Sequence, residues 1–218
     1  MSKRTHRRTA LLVTTAFLLS FFAAVGAAWA KDDWYTQHYI IMQDWERKAY
    51  KSLSNEAKLE FQNLFWESRD PKSKQTFDAR MEVIMQNYKR ENSKQPWNTD
   101  RGRYFLLNGS PAAIDYDQNT NWGSLAIPGQ SIGSGATGRE KEDVSADRAE
   151  IWTFPYNENF IKYVFVFETP NRWVIISAQV QGSRYRGEFE NYNRTVVYGV
   201  LDPEQYKERI AALKNKKK

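Results

Sequence analysis

The hydrophobic residues of this chain change period part-way along, and that change limits the folds open to it. Between residues 32 and 53, Trp34, His38, Ile41, Trp45, Ala49 and Leu53 recur at steps of three and four, the stripe of an amphipathic helix. Ser54 is placed to cap a second helix carrying Ala57, Phe61, Leu64 and Phe65. Asp70-Pro71 ends it, because the residue before proline disfavours helical backbone. Phe77, Met81, Ile84 and Tyr88 predict a third helix over about residues 75–91. Beyond that point short apolar runs separated by turn residues predict strands. These are Tyr104–Leu107, Ile151–Phe154, Tyr163–Phe167 and Trp173–Val180, with Thr195–Val200 as a fifth. Thr169-Pro170-Asn171 is the expected hairpin turn between the third and fourth. Asp202 caps a final helix with Pro203 in its first turn and Gln205 at the capping-box position. Helices followed by strands predict an α+β fold, with two or three helices packed on a small antiparallel sheet and a closing C-terminal helix.

Such a fold needs a core, and the residues for one are plentiful. Among 218 residues are 8 Trp, 12 Tyr and 12 Phe, enough large rings to fill a sizeable interior. Cysteine is absent, which excludes disulfides, thiolate metal sites and a cysteine nucleophile. The length suits one domain with an appendage.

The appendage is at the front. Met1–Thr9 carries Lys3, Arg4, Arg7 and Arg8 and no acid, and Ala10–Ala30 carries no charge. The stretch closes on Ala28-Trp29-Ala30 and turns polar at Lys31-Asp32-Asp33. A basic start, an apolar centre and a small-x-small cleavage site make residues 1–30 a secretory signal peptide for the general export route. The alternative is an uncleaved anchor, the one way this chain would engage a membrane. Removing the signal leaves 28 basic against 26 acidic residues. Lys214, Lys216, Lys217 and Lys218 belong to a basic tail over 214–218, so the body holds 24 against 26. The formal charge of +6 thus sits at the two ends, and no nucleic-acid surface is expected.

Residues 31–95 read as the helical segment and 96–213 as the β-rich segment of one domain, interrupted by a Gly/Ser-rich loop over 115–148. Three strings in that loop imitate known sites. Gly129-Gln130-Ser131-Ile132-Gly133 spells a nucleophile elbow, but the only histidine after the signal is His38, far upstream on a helix stripe. Gly133-Ser134-Gly135-Ala136-Thr137-Gly138 spells a dinucleotide fingerprint without the strand that must precede it. Asp115, Asp117, Asn119 and Asn121 have the spacing of the first ligands of a calcium loop, but Thr120 and Ala126 replace its turn glycine and bidentate glutamate. No cofactor or metal is expected.

The sharpest segment is Pro96-Trp97-Asn98-Thr99-Asp100-Arg101-Gly102-Arg103, followed by Tyr104–Leu107 and the turn Asn108-Gly109-Ser110-Pro111. It resembles the core of the GWxTD domain family of exported bacterial proteins. Trp97, Thr99 and Asp100 match the lettered positions, Arg101-Gly102-Arg103 the usual continuation, and Gly109 and Pro111 the turn. Phe65-Trp66 with Arg69-Asp70-Pro71, and Glu150-Ile151-Trp152, resemble its upstream and downstream elements. Together the patches cover roughly residues 54 to 180. Pro96 stands where the family has glycine, and the 115–148 loop looks like an insertion. The resemblance implies a small α+β envelope domain and no established activity or ligand.

The residues themselves admit two roles. Thr99 and Asp100 suit a turn leading into the strand, Gly102 gives it backbone freedom and Trp97 can pin it to the helices. Arg69, Asp70, Asp100, Arg101 and Arg103 can brace the helix end to the strand. The same charges, with Trp66, Trp97, Glu150 and Trp152, can instead line a cleft for an envelope protein or glycan. Tyr185–Tyr192, which interleaves aromatic and charged residues, is a second such surface or an amphipathic edge. Glu67, Asp70 and Asp100 are the motif-associated carboxylates from which a glycan or peptidoglycan hydrolase would be built, but neighbouring arginines oppose a general acid. A non-catalytic binding or structural role is the expectation. The exported product should begin at Lys31, which N-terminal sequencing of the secreted protein checks.

Overall fold

The computed structural model describes residues 32–118, 148–168, 170–176 and 183–215. The signal segment, the glycine strings, Asn119, Asn121, Thr169 and residues 216–218 lie outside them. The chain divides into two compact units, the first ending at Tyr35 and the second running from Thr36. Of the first, residues 32–35 are described, and Asp32 accepts a hydrogen bond from the Tyr35 amide at 3.0 Å.

The fold is α+β. The expected helix over 32–53 is two helices, α1 (Asp33–His38) and α2 (Asp44–Lys51). The break has a local cause: Gln43 caps α2, and the Glu46 carboxylate accepts from the Gln43 amide at 2.7 Å. The turn between them sinks Ile40, Ile41 and Met42 into the core. Helix α3 (Asn55–Glu67) starts at the Ser54 cap. Helix α4 (Pro71–Asn87) starts four residues before the expected position, with Asp70 as cap and Pro71 in the first turn. His38, as the stripe implied, is a core residue, stacked on Phe77 at 4.6 Å between ring centroids.

The expected strand at Tyr104–Leu107 is a helix, α5 (Asp100–Asn108). A run of four apolar residues fits either structure, and the flanks decide. Thr99 is an N-cap: its hydroxyl accepts from the Gly102 amide at 3.0 Å and donates to the Pro96 carbonyl at 2.9 Å. Gly109 ends the helix at φ +81°, backbone that glycine adopts without penalty. A single turn of 3₁₀ helix over Pro96–Asn98 precedes the cap.

Four strands follow, β1 (Ala113–Asp117), β2 (Ala149–Tyr156), β3 (Asn159–Glu168) and β4 (Arg172–Ile176), antiparallel and in chain order across the sheet. Thr195–Val200 is no fifth strand. Helix α6 (Ser183–Tyr192) absorbs the Tyr185–Tyr192 segment and runs into a π-helical turn over Asn193–Val197. β-branched residues favour strands, but here tertiary partners hold the backbone. Ser73 donates to the Val197 carbonyl at 2.7 Å and Arg69 to the Tyr198 carbonyl at 2.9 Å. Helix α7 (Pro203–Asn215) closes the described chain, with Asp202 accepting from the Gln205 amide.

Register sorts the sheet's faces. Trp152 lies opposite Tyr163, Glu150 opposite Phe165 and Phe154 opposite Ile161. This face meets the helices: Tyr104 of α5 packs on Tyr163 at 4.9 Å and Phe189 of α6 on Phe154 at 5.5 Å. On the other face Ala149, Val164 and Val166 form a buried cluster with Ile151 and Ile176 against it.

Gly102 is the tightest point of the α5 start. A methyl group there would meet the Pro96 carbonyl oxygen at 2.3 Å, and that oxygen belongs to the backbone. Gly102→Ala is expected to cost about 2–3 kcal/mol, typical of forced overpacking, measured by denaturant unfolding against Gly187→Ala, where nothing lies in reach.

Candidate functional site

The residues singled out in the sequence fall into two separate clusters. The first surrounds Arg69, at the end of α3 and almost wholly buried. Its Nη2 donates to Glu46 Oε1 and its Nη1 to the Phe65 carbonyl, both at 2.6 Å, and the guanidinium lies 3.5 Å from the Phe65 ring centroid. Glu46 is equally enclosed and at the same time completes the cap of α2. A buried ion pair offsets its desolvation when its other hydrogen-bonding atoms are also satisfied, as these are. Asp70 takes no part in it; its carboxylate caps α4 by accepting from the Lys72 amide. Trp66 packs among His38, Phe65 and Phe77, and Glu67 pairs on the surface with Arg209. This cluster is a brace joining α2, α3 and the chain near Tyr198.

The second cluster surrounds the start of α5. Arg101 bridges two carboxylates, donating to Glu91 Oε1 at 2.8 Å from Nε and to Glu150 Oε2 at 2.7 Å from Nη1. Its guanidinium lies 4.6 Å from the Trp173 ring centroid and 5.2 Å from that of Tyr88. Glu150 also accepts from the indole N–H of fully buried Trp152. One guanidinium thus joins the turn after α4, the first turn of α5 and strand β2. Trp97 is buried and donates to the Thr36 hydroxyl at 3.2 Å. Asp100 reaches the sheet directly, its Oδ2 accepting from the Ile175 amide of β4 at 3.0 Å. Strand β4 is an edge strand of the described sheet, and this carboxylate serves an amide that no further strand pairs. Arg103 donates to Asn98 Oδ1 and lies 3.5 Å from Asp100.

The brace read from the sequence as one network is therefore two. Arg69 and Asp70 belong to the helical side; Asp100, Arg101 and Arg103 belong to the joint between α5 and the sheet. Sequence reasoning missed Glu46, Glu91 and Trp173, which complete these clusters, and Arg80, which donates to the Leu106 and Leu107 carbonyls at the end of α5. Glu46 alone left a signal, three residues after its cap. Nothing near Glu91 or Trp173 in the sequence tells them from other exposed-looking residues.

Beside the second cluster is a cleft of about 250 Å³. Asn98, Thr99, Asp100 and Arg103 line it from the motif side, and Glu91, Asn92, Arg172 and Trp173 from the other. Among the described residues no group of three or more His, Asp or Glu side chains is placed to hold a metal ion. No described helix is long and apolar enough to cross a membrane.

Burial pushes the Glu91 carboxyl above its ordinary 4.5, while the charge of Arg101, their hydrogen bond and the Trp173 backbone pull it back. Ionising Glu91 therefore costs more in the folded protein than in the unfolded chain. The stability this site contributes is complete below pH 4.5 and is lost as the pH rises through the raised value. Glu91→Gln, neutral throughout, removes that dependence. Thermal unfolding of the two proteins from acid to neutral pH should show the melting temperature of the variant gaining on the wild type as pH rises.

No protein-family model, no curated protein and no solved structure matches the chain.

Proposed function

We propose that this chain is an exported GWxTD-type domain of the bacterial envelope with a non-catalytic binding role. In this reading the named motif is a structural joint, and binding falls to the surface beside it. The observation that carries it is the state of the motif side chains. Trp97 is enclosed, Arg101 is only 14% exposed between two carboxylates, and Thr99 spends its hydroxyl on the cap of α5. Groups so committed hold elements together and are not free to attack, protonate or exchange with a substrate.

The second reading, a carboxylate glycan hydrolase, draws on the raised Glu91 carboxyl and on Asp100, which line the same cleft. Against it, Asp100 is engaged by the Ile175 amide and Glu91 by Arg101. The partner expected is an envelope protein or glycan.

Two measurements test the proposal. Fractionation of cells expressing the full chain should place the product outside the cytoplasm. Peptidoglycan fragments incubated with the purified protein should be recovered intact. Turnover abolished by Asp100→Asn without loss of folding would replace the binding reading with the hydrolase.

A further inference from the structure

The described sheet has two edge strands, and the chain treats them differently. At β4 the Asp100 carboxylate accepts from the Ile175 amide, so a main-chain donor of that edge is already used. At the other edge, β1, no described side chain does the same for residues 113–116. Alternate residues of an antiparallel edge strand turn both N–H and C=O away from the neighbouring strand. Around β1 the way to those groups is open, since residues 112–116 are all exposed. Such a row is a template for a further strand, and natural sheets leave one open where it is guarded or used.

Register divides the side chains of β1 between two faces and so fixes what an added strand must carry. Ile114 and Tyr116 lie opposite Trp152 and Glu150, on the face that meets the helices, yet they are 44% and 69% exposed. Asp115 and Asp117 lie opposite Ile151 and Ala149 on the other face. Asp115 is exposed, and its row across the sheet continues through Ile151, Val164 and Ile176, which carry no charge. Its carboxylate has no ion-pair or hydrogen-bond partner among the described residues. An added strand presents its side chains to the same two faces. Apolar residues are needed beside Ile114 and Tyr116, and cations are favoured beside Asp115 and Asp117. A second copy of this chain does not meet that need. In a two-fold pairing of β1 with β1 the aspartates of both copies fall on one face, acid near acid.

We infer that β1 is a docking edge for an extended segment of a protein partner in which basic and apolar side chains alternate. The inference rests on the binding-module reading and names its surface and partner class. The segment extends the sheet through main-chain hydrogen bonds to β1. Its apolar residues cover Ile114 and Tyr116, and its lysines or arginines face Asp115 and Asp117 on the opposite side. The edge lies next to the joint, because Tyr116 is opposite Glu150, one of the two acids that Arg101 holds.

The test is an NMR titration of the ¹⁵N-labelled protein with a short synthetic peptide alternating lysine and valine. The comparisons are a peptide alternating glutamate and valine, a peptide with the same lysines and valines gathered into separate blocks, and the alternating lysine peptide N-methylated throughout, which cannot donate to a ladder. Saturable shifts of the residue 113–117 amides are expected with the alternating lysine peptide and with none of the comparisons. Asp115→Lys, at an exposed position, should fold and weaken binding of that peptide about fivefold, the value of a cross-strand charge pair turned from attraction to repulsion. Glu208→Lys, the same change of charge at an exposed position on α7, should leave binding unaltered. The inference is overturned if the alternating lysine peptide gives no saturable shifts at β1, which would leave Asp115 as a guard against strand addition. It is overturned equally if a comparison peptide binds as well, if Asp115→Lys binds as tightly as the wild type, or if the β1 shifts follow the protein's own concentration, which would give the edge to a second copy. Peptide binding by a protein retained in the cytoplasm would refute only the envelope assignment. Correct export without shifts at β1 would refute only the docking edge.

Discussion

The joint between helices and sheet depends on one guanidinium. Glu91 and Glu150 come from different parts of the chain and face each other across the start of α5, where two bare carboxylates would repel and neither could be hydrated well. Arg101 between them turns that repulsion into a three-way tie. Its planar, forked donors reach both acids while its face lies against Trp173 and Tyr88. Lysine, a point charge on a flexible stem, could not hold both acids and both rings in the same way. Around this tie the remaining motif residues have defined tasks. Thr99 starts the helix, Gly102 lets it start against the Pro96 carbonyl, and Asp100 covers an edge amide of β4.

Arg69 repeats the device on the helical side. It too is enclosed, holds one buried acid and satisfies backbone carbonyls with its other donors. The two guanidiniums fix opposite ends of the helical layer, one to the turn near Tyr198 and the other to the sheet. Removing a partner from either would strand a buried charge, at a cost of about 3–5 kcal/mol. This dual bracing explains why so many charges of a nearly neutral body are found inside it.

The cleft is a by-product of that arrangement. Asp100 and Glu91 both turn towards the outer edge of β4, and space between them has to be lined by their charges and by those of the arginines. Most of that polarity is internally paired.

The sequence by itself determined the class of fold, the caps at Ser54 and Asp202, three strands and the core position of His38. Each of these depends on local chemistry or on a periodicity that survives without neighbours. It did not determine Tyr104–Leu107, where four apolar residues suit a strand or a buried helix and the cap at Thr99 was read as a turn. Nor did it determine Thr195–Val200, whose strand propensity yields to Ser73 and Arg69 holding its carbonyls. The motif around Trp97 was legible, but its division into two braces was not. Glu46 lies 23 residues from Arg69, and Glu150 lies 49 from Arg101. Pairings over such separations leave no mark in local composition; only the packing of helices on the sheet brings the charges together and opens the cleft beside them.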